Sequence, residues 1–299
     1  MKNKLWENAT LIAGPTASGK SALALQIAQQ KDAVIFNADS MQIYDVLSVI
    51  TARPSTQDTL LVPHLLYGHV DPASEYSTGH WIADVESALT KIETGRHVVF
   101  VGGTGLYFRA LLGGLSPMPQ IDEAVRQRWR YRLGEEGAPN LHRILRRMDP
   151  EAAMEFNPSD GQRIARALEV LETSGKSILW WQQQAGQPMV NPDTVERFVI
   201  EPDRTVLRQR IHDRFDRMVE LGALDEVQLL MARNIPDTMP AMKAIGVQHL
   251  ASSIAGQCSL EEAIELSKTA TRQYAKRQMT WFRNQLTNNW KRCDPFRNR

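Results

Sequence analysis

Cysteine is nearly missing from this sequence: Cys258 and Cys293 are the two such residues among 299. Neither stands at metal-ligand spacing, so a disulfide scaffold and a zinc site are excluded, and the usage fits a reducing compartment. No apolar run is long enough to span a bilayer as a helix. Because the first apolar run starts at Leu11, no room is expected for a signal peptide, and a cytoplasmic location without membrane attachment follows. An excess of one charge is lacking too, since 35 Lys and Arg face 34 Asp and Glu. A polyanionic partner would have to be met by local patches. Neither a repeat nor a low-complexity tract is present. What is there is an ordinary globular composition, 42% hydrophobic and 23% charged, long enough for one large domain with an insertion.

One stretch organises the rest. Leu11–Ala13 reads as a buried strand, Ala22–Ala28 reads as a helix, and between them lies Gly14-Pro15-Thr16-Ala17-Ser18-Gly19-Lys20-Ser21. Strand, glycine loop and helix in this order define a P-loop. Its amides form an anion nest, the helix N-terminus adds partial positive charge, Lys20 adds a full one, and the Ser21 hydroxyl can hold magnesium. The expected ligand is a diphosphate or triphosphate.

A second apolar run, Ala33–Phe36, follows the helix and ends at Asn37-Ala38-Asp39-Ser40-Met41-Gln42-Ile43-Tyr44. Two strands separated by a helix imply a parallel βαβ unit, which puts Asp39 on the same carboxyl edge as the P-loop, as a site residue or as a helix cap. Residues 51–80, rich in Pro, Ser, Thr, His and Gly, read as loop with short irregular pieces. Trp81–Glu93 has helical spacing, and a third strand spans His97–Val101. This strand ends in Gly102-Gly103-Thr104-Gly105-Leu106-Tyr107. P-loop hydrolases commonly carry an acid there to hold magnesium and prepare a water; here none stands.

From residue 120 the pattern turns helical. Between Arg126 and Arg147 stand seven arginines and two acids, and Gln162-Arg163-Ile164-Ala165-Arg166 follows on a further helix. Such faces are ordinarily solvated surface, and the exclusive use of arginine, which suits phosphate recognition, brings a phosphate-binding surface level with that reading. The chain returns to the sheet at Val195–Ile200, then forms helices over about Val206–Leu221, with Arg214, and Ala270–Leu286. On the last of these, Ala275, Met279, Phe282 and Leu286 line one apolar face. From Thr271 onward there are eight Lys or Arg and one acid. The residues by themselves fit three kinds of protein: a group-transfer enzyme acting on nucleic acid, a small-molecule kinase with the insertion as lid, or an ATPase-like RNA-binding module.

The ordered set Gly14–Ser21, Asp39–Tyr44, Gly102–Tyr107, Arg163-x-x-Arg166-Ala167-Leu168-Glu169 and Lys276-Arg277-Gln278-x-Thr280-Trp281-Phe282-Arg283 resembles the bacterial tRNA dimethylallyltransferase family over about Leu11–Trp290. The resemblance implies an α/β fold with a P-loop NTPase-like parallel core, residues 1–119 and 188–299, and an all-helical insertion, residues 120–187, that contacts tRNA. It implies prenyl transfer from dimethylallyl diphosphate to the N6 amine of the adenosine next to the anticodon, magnesium as cofactor, and a monomer. By the same resemblance Asp39, Thr104 and Arg214 are catalytic, and Gly14, Pro15, Thr16, Ala17, Ser18, Gly19, Lys20 and Ser21 hold the diphosphate. Asp39, Ser40, Met41, Gln42, Gln162, Arg163, Ile164, Ala165, Arg166, Lys276 and Arg277 would contact tRNA. Four departures stand out: Ile50-Thr51-Ala52-Arg53-Pro54 for the usual Gly-Thr-Ala-Lys-Pro, Leu65 for a second His, Gly68 for Asp, and Val247 for Tyr.

Overall fold

The computed structural model describes residues 5–296. In chain order the elements are β1 (Ala9–Ala13), α1 (Lys20–Gln30), β2 (Val34–Asn37), α2 (Thr56–Leu61), β3 (His64–Leu65), α3 (Thr78–Leu89), β4 (Val98–Gly102) and α4 (Gly105–Gly113). Five helices follow: α5 (Glu123–Glu136), α6 (Ala138–Met148), α7 (Pro150–Glu155), α8 (Gly161–Ser174) and α9 (Ile178–Gln182). The chain then makes β5 (Glu196–Ile200), α10 (Arg204–Glu220), α11 (Ala223–Ala232), a 3-10 turn (Pro240–Lys243), α12 (Val247–Ile254), α13 (Leu260–Gln285) and β6 (Lys291–Cys293). It divides into two compact units, residues 1–112 with 189–299, and residues 113–188.

The first unit is built on a six-stranded sheet in the order β3-β2-β4-β1-β5-β6, every pairing parallel. β1, β2 and β4 are buried along their whole length, which is why they read as continuous apolar runs: helices cover both faces of a parallel sheet. Alternate residues serve opposite faces. Leu11, Phe36 and Phe100 pack with Trp81 of α3, Phe108 of α4 and Phe282 of α13, while Ile12, Ile35 and Val99 pack with Ala24 and Ala28 of α1. A separate cluster joins Ile43, Tyr44, Leu47 and Ile50 to α10, α11 and α12, and so pins the segment beyond β2. The loops after β1, β2 and β4 emerge side by side at the carboxyl edge, where open α/β sheets bind ligands.

Four elements differ from the sequence-based reading. The expected loop over 51–80 contains α2, held by a reciprocal capping box between Ser55 and Asp58, and the edge strand β3. α2 hides no apolar face, since Leu60 and Leu61 are exposed, so it leaves no periodic signal. α13 begins at Leu260, not near Ala270, because its early buried face includes the polar Ser267 and Lys268. β6 was not anticipated; Lys-Arg-Cys carries no strand pattern and is added at the sheet edge through Phe198–Ile200.

The second unit is all helical, around Trp129, Leu141, Leu145, Ile164, Leu168 and Ile178. It begins at Gly113, before the composition change that placed the expected boundary at residue 120. Many of its arginines face carboxylates of the same unit: Arg126 with Glu123, Arg128 with Glu172, Arg132 with Glu136, Arg163 with Asp160 and Arg166 with Glu169. The bias counted along the sequence is therefore partly balanced in space.

Candidate active site at the carboxyl edge of the sheet

The P-loop leaves β1 through Gly14, whose N–H donates to Gly102 O at 3.3 Å. It ends at Gly19, in the left-handed region at φ 87°, and α1 starts there without a side-chain cap. The uncapped first turn leaves amides for a ligand. Ser18 is fully enclosed, yet its hydroxyl meets no partner among the described residues. That hydroxyl lies against Gly14, where an added Cβ would meet it. Lys20 is buried, its Nζ 3.3 Å from Pro15 O. Burial lowers its pKa to about 8; the charge of Asp39 opposes that shift and Arg214 adds to it. Ser21, one residue on, is exposed.

Asp39 sits just past β2. Asn37 makes the turn, accepting from Asp39 N at 2.8 Å and donating to Asp39 O at 2.9 Å, while Trp81 Nε1 donates to Asn37 O at 2.9 Å. Oδ1 of Asp39 accepts from Met41 N at 3.0 Å; Oδ2 lies towards Gly103. The carboxylate charge reaches Lys20 and Arg214 and also raises the pKa of Tyr67, Tyr107 and Tyr274, in each of which burial is the larger cause. Arg214, on α10, is partly buried; burial lowers its pKa, Asp39 raises it, and Nη2 donates to Thr51 O at 3.4 Å. Arg210, one turn earlier, donates from Nε to Ala17 O at 3.0 Å and so braces the P-loop.

The glycines after β4 are required by close approach. A Cβ on Gly102 would collide with Ala38 backbone, one on Gly103 with Gln278 Nε2, and one on Gly105 with the Trp281 ring. This packing brings Thr104 to the Asp39 turn: Thr104 Oγ1 accepts from Ser40 N at 2.9 Å and donates to Ser40 Oγ at 3.2 Å. The sequence assigned no role to Gln278 or to Glu226. Glu226 of α11 accepts from the N–H groups of Ser48, Val49 and Ile50 at 2.6–2.8 Å, fixing the loop that follows the Asp39 turn. The signals present were a polar residue on the apolar face of α13 and an acid on the buried face of α11.

Of the expected site residues, Gly14–Ser21, Asp39, Thr104 and Arg214 converge at this edge. Ser40 and Met41 continue the Asp39 turn, whereas Gln42 spends its Nε2 on Thr51 O and Ala52 O at 2.9 and 3.0 Å. Lys276 and Arg277 are exposed on α13. In the second unit, Gln162 and Arg163 are exposed and Arg166 is half-buried, but Ile164 and Ala165 are 0% and 4% exposed. Those two expected RNA contacts are core residues instead, because five consecutive positions of a helix cannot share one face. Among the described residues no three His, Cys, Asp or Glu side chains group as a metal site.

Fold and site together define a P-loop α/β protein whose phosphate cradle faces a carboxylate across the sheet edge. The IPP transferase family model matches residues 42–285 and an isopentenyl transferase model matches residues 7–63, so the chain belongs to the IPP transferase family. It is 57% identical to the tRNA dimethylallyltransferase of Chelativorans sp. (strain BNC1) over 285 residues, 95% of this chain and 98% of that one. To that of Mesorhizobium japonicum it is 56% identical over 97% of this chain and 90% of the relative. Among solved structures, the tRNA isopentenylpyrophosphate transferase of Bacillus halodurans aligns with a TM-score of 0.68 and 32% identity over 96% of this chain and 90% of that one. A eukaryotic dimethylallyltransferase acting on tRNA aligns with a TM-score of 0.75 and 27% identity, covering 92% and 70% of the two chains.

Proposed function

We propose that the chain transfers the dimethylallyl group of dimethylallyl diphosphate to the exocyclic N6 amine of the adenosine 3′-adjacent to the anticodon of tRNA, releasing diphosphate. The observation that carries this reading is Asp39 facing Lys20 and Arg214 at one sheet edge, with β4 ending in glycines where a hydrolase would place its acid. The leaving group is built into the donor, so no water has to be prepared.

An adenine amine is a weak nucleophile because its lone pair is delocalised into the ring. As its N–C bond forms, the allylic C–O bond breaks, and the N6 proton passes to Oδ2 of Asp39. Negative charge then grows on the departing diphosphate, where the loop amides, Lys20 and Arg214 stabilise it. Thr104 serves the bridging oxygen by turning its proton from Ser40 Oγ. Magnesium suits this cradle without a carboxylate cage, because it keeps waters and substrate phosphate oxygens as ligands. Ser21 would hold it, and the ion would supply further charge neutralisation. The base has to leave its stack to reach Asp39, at a cost of a few kcal/mol that is smaller in a single-stranded loop. Exposed Gln162, Arg163, Lys276 and Arg277 are the contacts suited to the loop phosphates, with Ser40, Met41 and Gln42 beside the base.

One incubation tests the reading. Bulk tRNA is supplied with allyl-labelled dimethylallyl diphosphate or with γ-labelled ATP. Allyl label in tRNA is expected; consumption of ATP, or RNA retention without transfer from either donor, would replace this reading with a kinase or a binding module.

A further inference from the structure

Gln278 lies in the middle of α13, 262 positions in sequence from the P-loop residue it touches. It is 5% exposed. Its Oε1 accepts from Thr16 N–H at 3.0 Å, and its Nε2 donates to Gly103 O at 3.0 Å. One amide therefore spans the loop that cradles phosphate and the turn that carries Thr104. It cannot drift, because Ala275 and Phe282 anchor the same helix in buried clusters and Trp281 fills the space beside Gly105. The absence of a side chain at Gly103 is what lets the amide approach.

We infer that Gln278 is a positioning residue that fixes the distance between the diphosphate cradle and the Asp39–Ser40–Thr104 cluster. The inference rests on the prenyl-transfer reading of the site. Phosphate and base are held by different loops, the first after β1 and the second after β2 with β4. In-line transfer requires donor carbon and acceptor nitrogen at near-contact separation, and a displacement of about 1 Å can cost on the order of 10²-fold in rate. Only a group with an acceptor on one side and a donor on the other satisfies both loops at once. A carboxylate of the same shape keeps the bond from Thr16 N–H but turns a bare oxygen towards Gly103 O. A protonated carboxyl restores both bonds.

The test is Gln278→Glu beside Gln278→Met, assayed by single-turnover prenyl transfer from pH 5.5 to 8.5, with every rate expressed relative to the wild type at the same pH. Gln278→Glu should lose about 10²-fold in the single-turnover rate at pH 8 and recover towards the wild type as the pH falls, with the tRNA concentration for half-maximal rate unchanged. Gln278→Met should lose a similar factor at every pH. In parallel, the Thr16 amide resonance of Gln278→Glu should titrate over the same range, a readout that requires no activity. A Gln278→Glu rate equal to that of the wild type, or a loss independent of pH with an unmoving Thr16 signal, overturns the inference. A wild type that transfers no label removes the prenyl-transfer reading instead, and the Thr16 titration still decides whether Gln278 bridges the two loops.

Discussion

The side chain at Lys20 shows how binding and stability are opposed at single residues. Moving its pKa from the ordinary 10.5 to about 8 corresponds to a cost of about 3 kcal/mol of native-state stability. The sign follows from linkage. Below about pH 8 the lysine is protonated both folded and unfolded, so the native state bears the whole cost. Between 8 and 10.5 the native state releases its proton first and the cost fades. Lys20→Met should therefore raise the stability of the ligand-free protein at pH 7 by about 2–3 kcal/mol, a gain that disappears near pH 10.5 in denaturant titrations. The same variant should lose affinity for inorganic diphosphate, and in the wild type that affinity should fall as the pH rises past about 8. Asp39→Ala tests the other side of the site: kcat should drop on the order of 10²–10⁴-fold while tRNA affinity, measured by filter retention, is retained. Unchanged kcat would remove Asp39 from the chemistry.

At the scale of elements, the loop between β2 and α2 depends on a contact that no local pattern announces. Glu226 is buried on α11 and carries three backbone N–H bonds from residues 48–50. Glu226→Ala should cost on the order of 3–5 kcal/mol in chemical unfolding, because three amides and no acceptor would remain, and Glu226→Gln should recover part of that. The strands and the P-loop were legible in the sequence because their signals are local: an apolar run, a glycine spacing, a helix start. Glu226 and Gln278 were not, since their partners lie 176–178 and 175–262 positions away. The departures from the family pattern became clear for the same reason in reverse. Ile50 and Val247 are packed in one cluster, and a Cβ on Gly246 would press against Ile50. Arg53 occupies the space a side chain on Gly68 would need. Positions that look like separate exceptions along the chain are neighbours in the fold. Leu65 simply continues the edge strand, in register with Phe36.

For the molecule as a whole, near-neutral charge coexists with cations concentrated on chosen helices. Arg146 and Arg147 on α6 and Lys276 and Arg277 on α13 are exposed, and none of the four has a carboxylate within ion-pair distance among the described residues. Affinity for tRNA should weaken steeply with salt, and each of Lys276→Ala and Arg277→Ala should reduce the slope of log affinity against log salt by about 0.7. A flat dependence would show that these helices do not meet RNA phosphates.

Leu111 O accepts from both Met189 N and Val190 N, so the chain leaves and re-enters the sheet-bearing unit at one spot. Among the described residues, each buried cluster is built within a single unit. Residues 113–188 thus read as a cassette spliced into a finished frame, and a tight turn bridging the splice would leave that frame's hydrophobic interior whole.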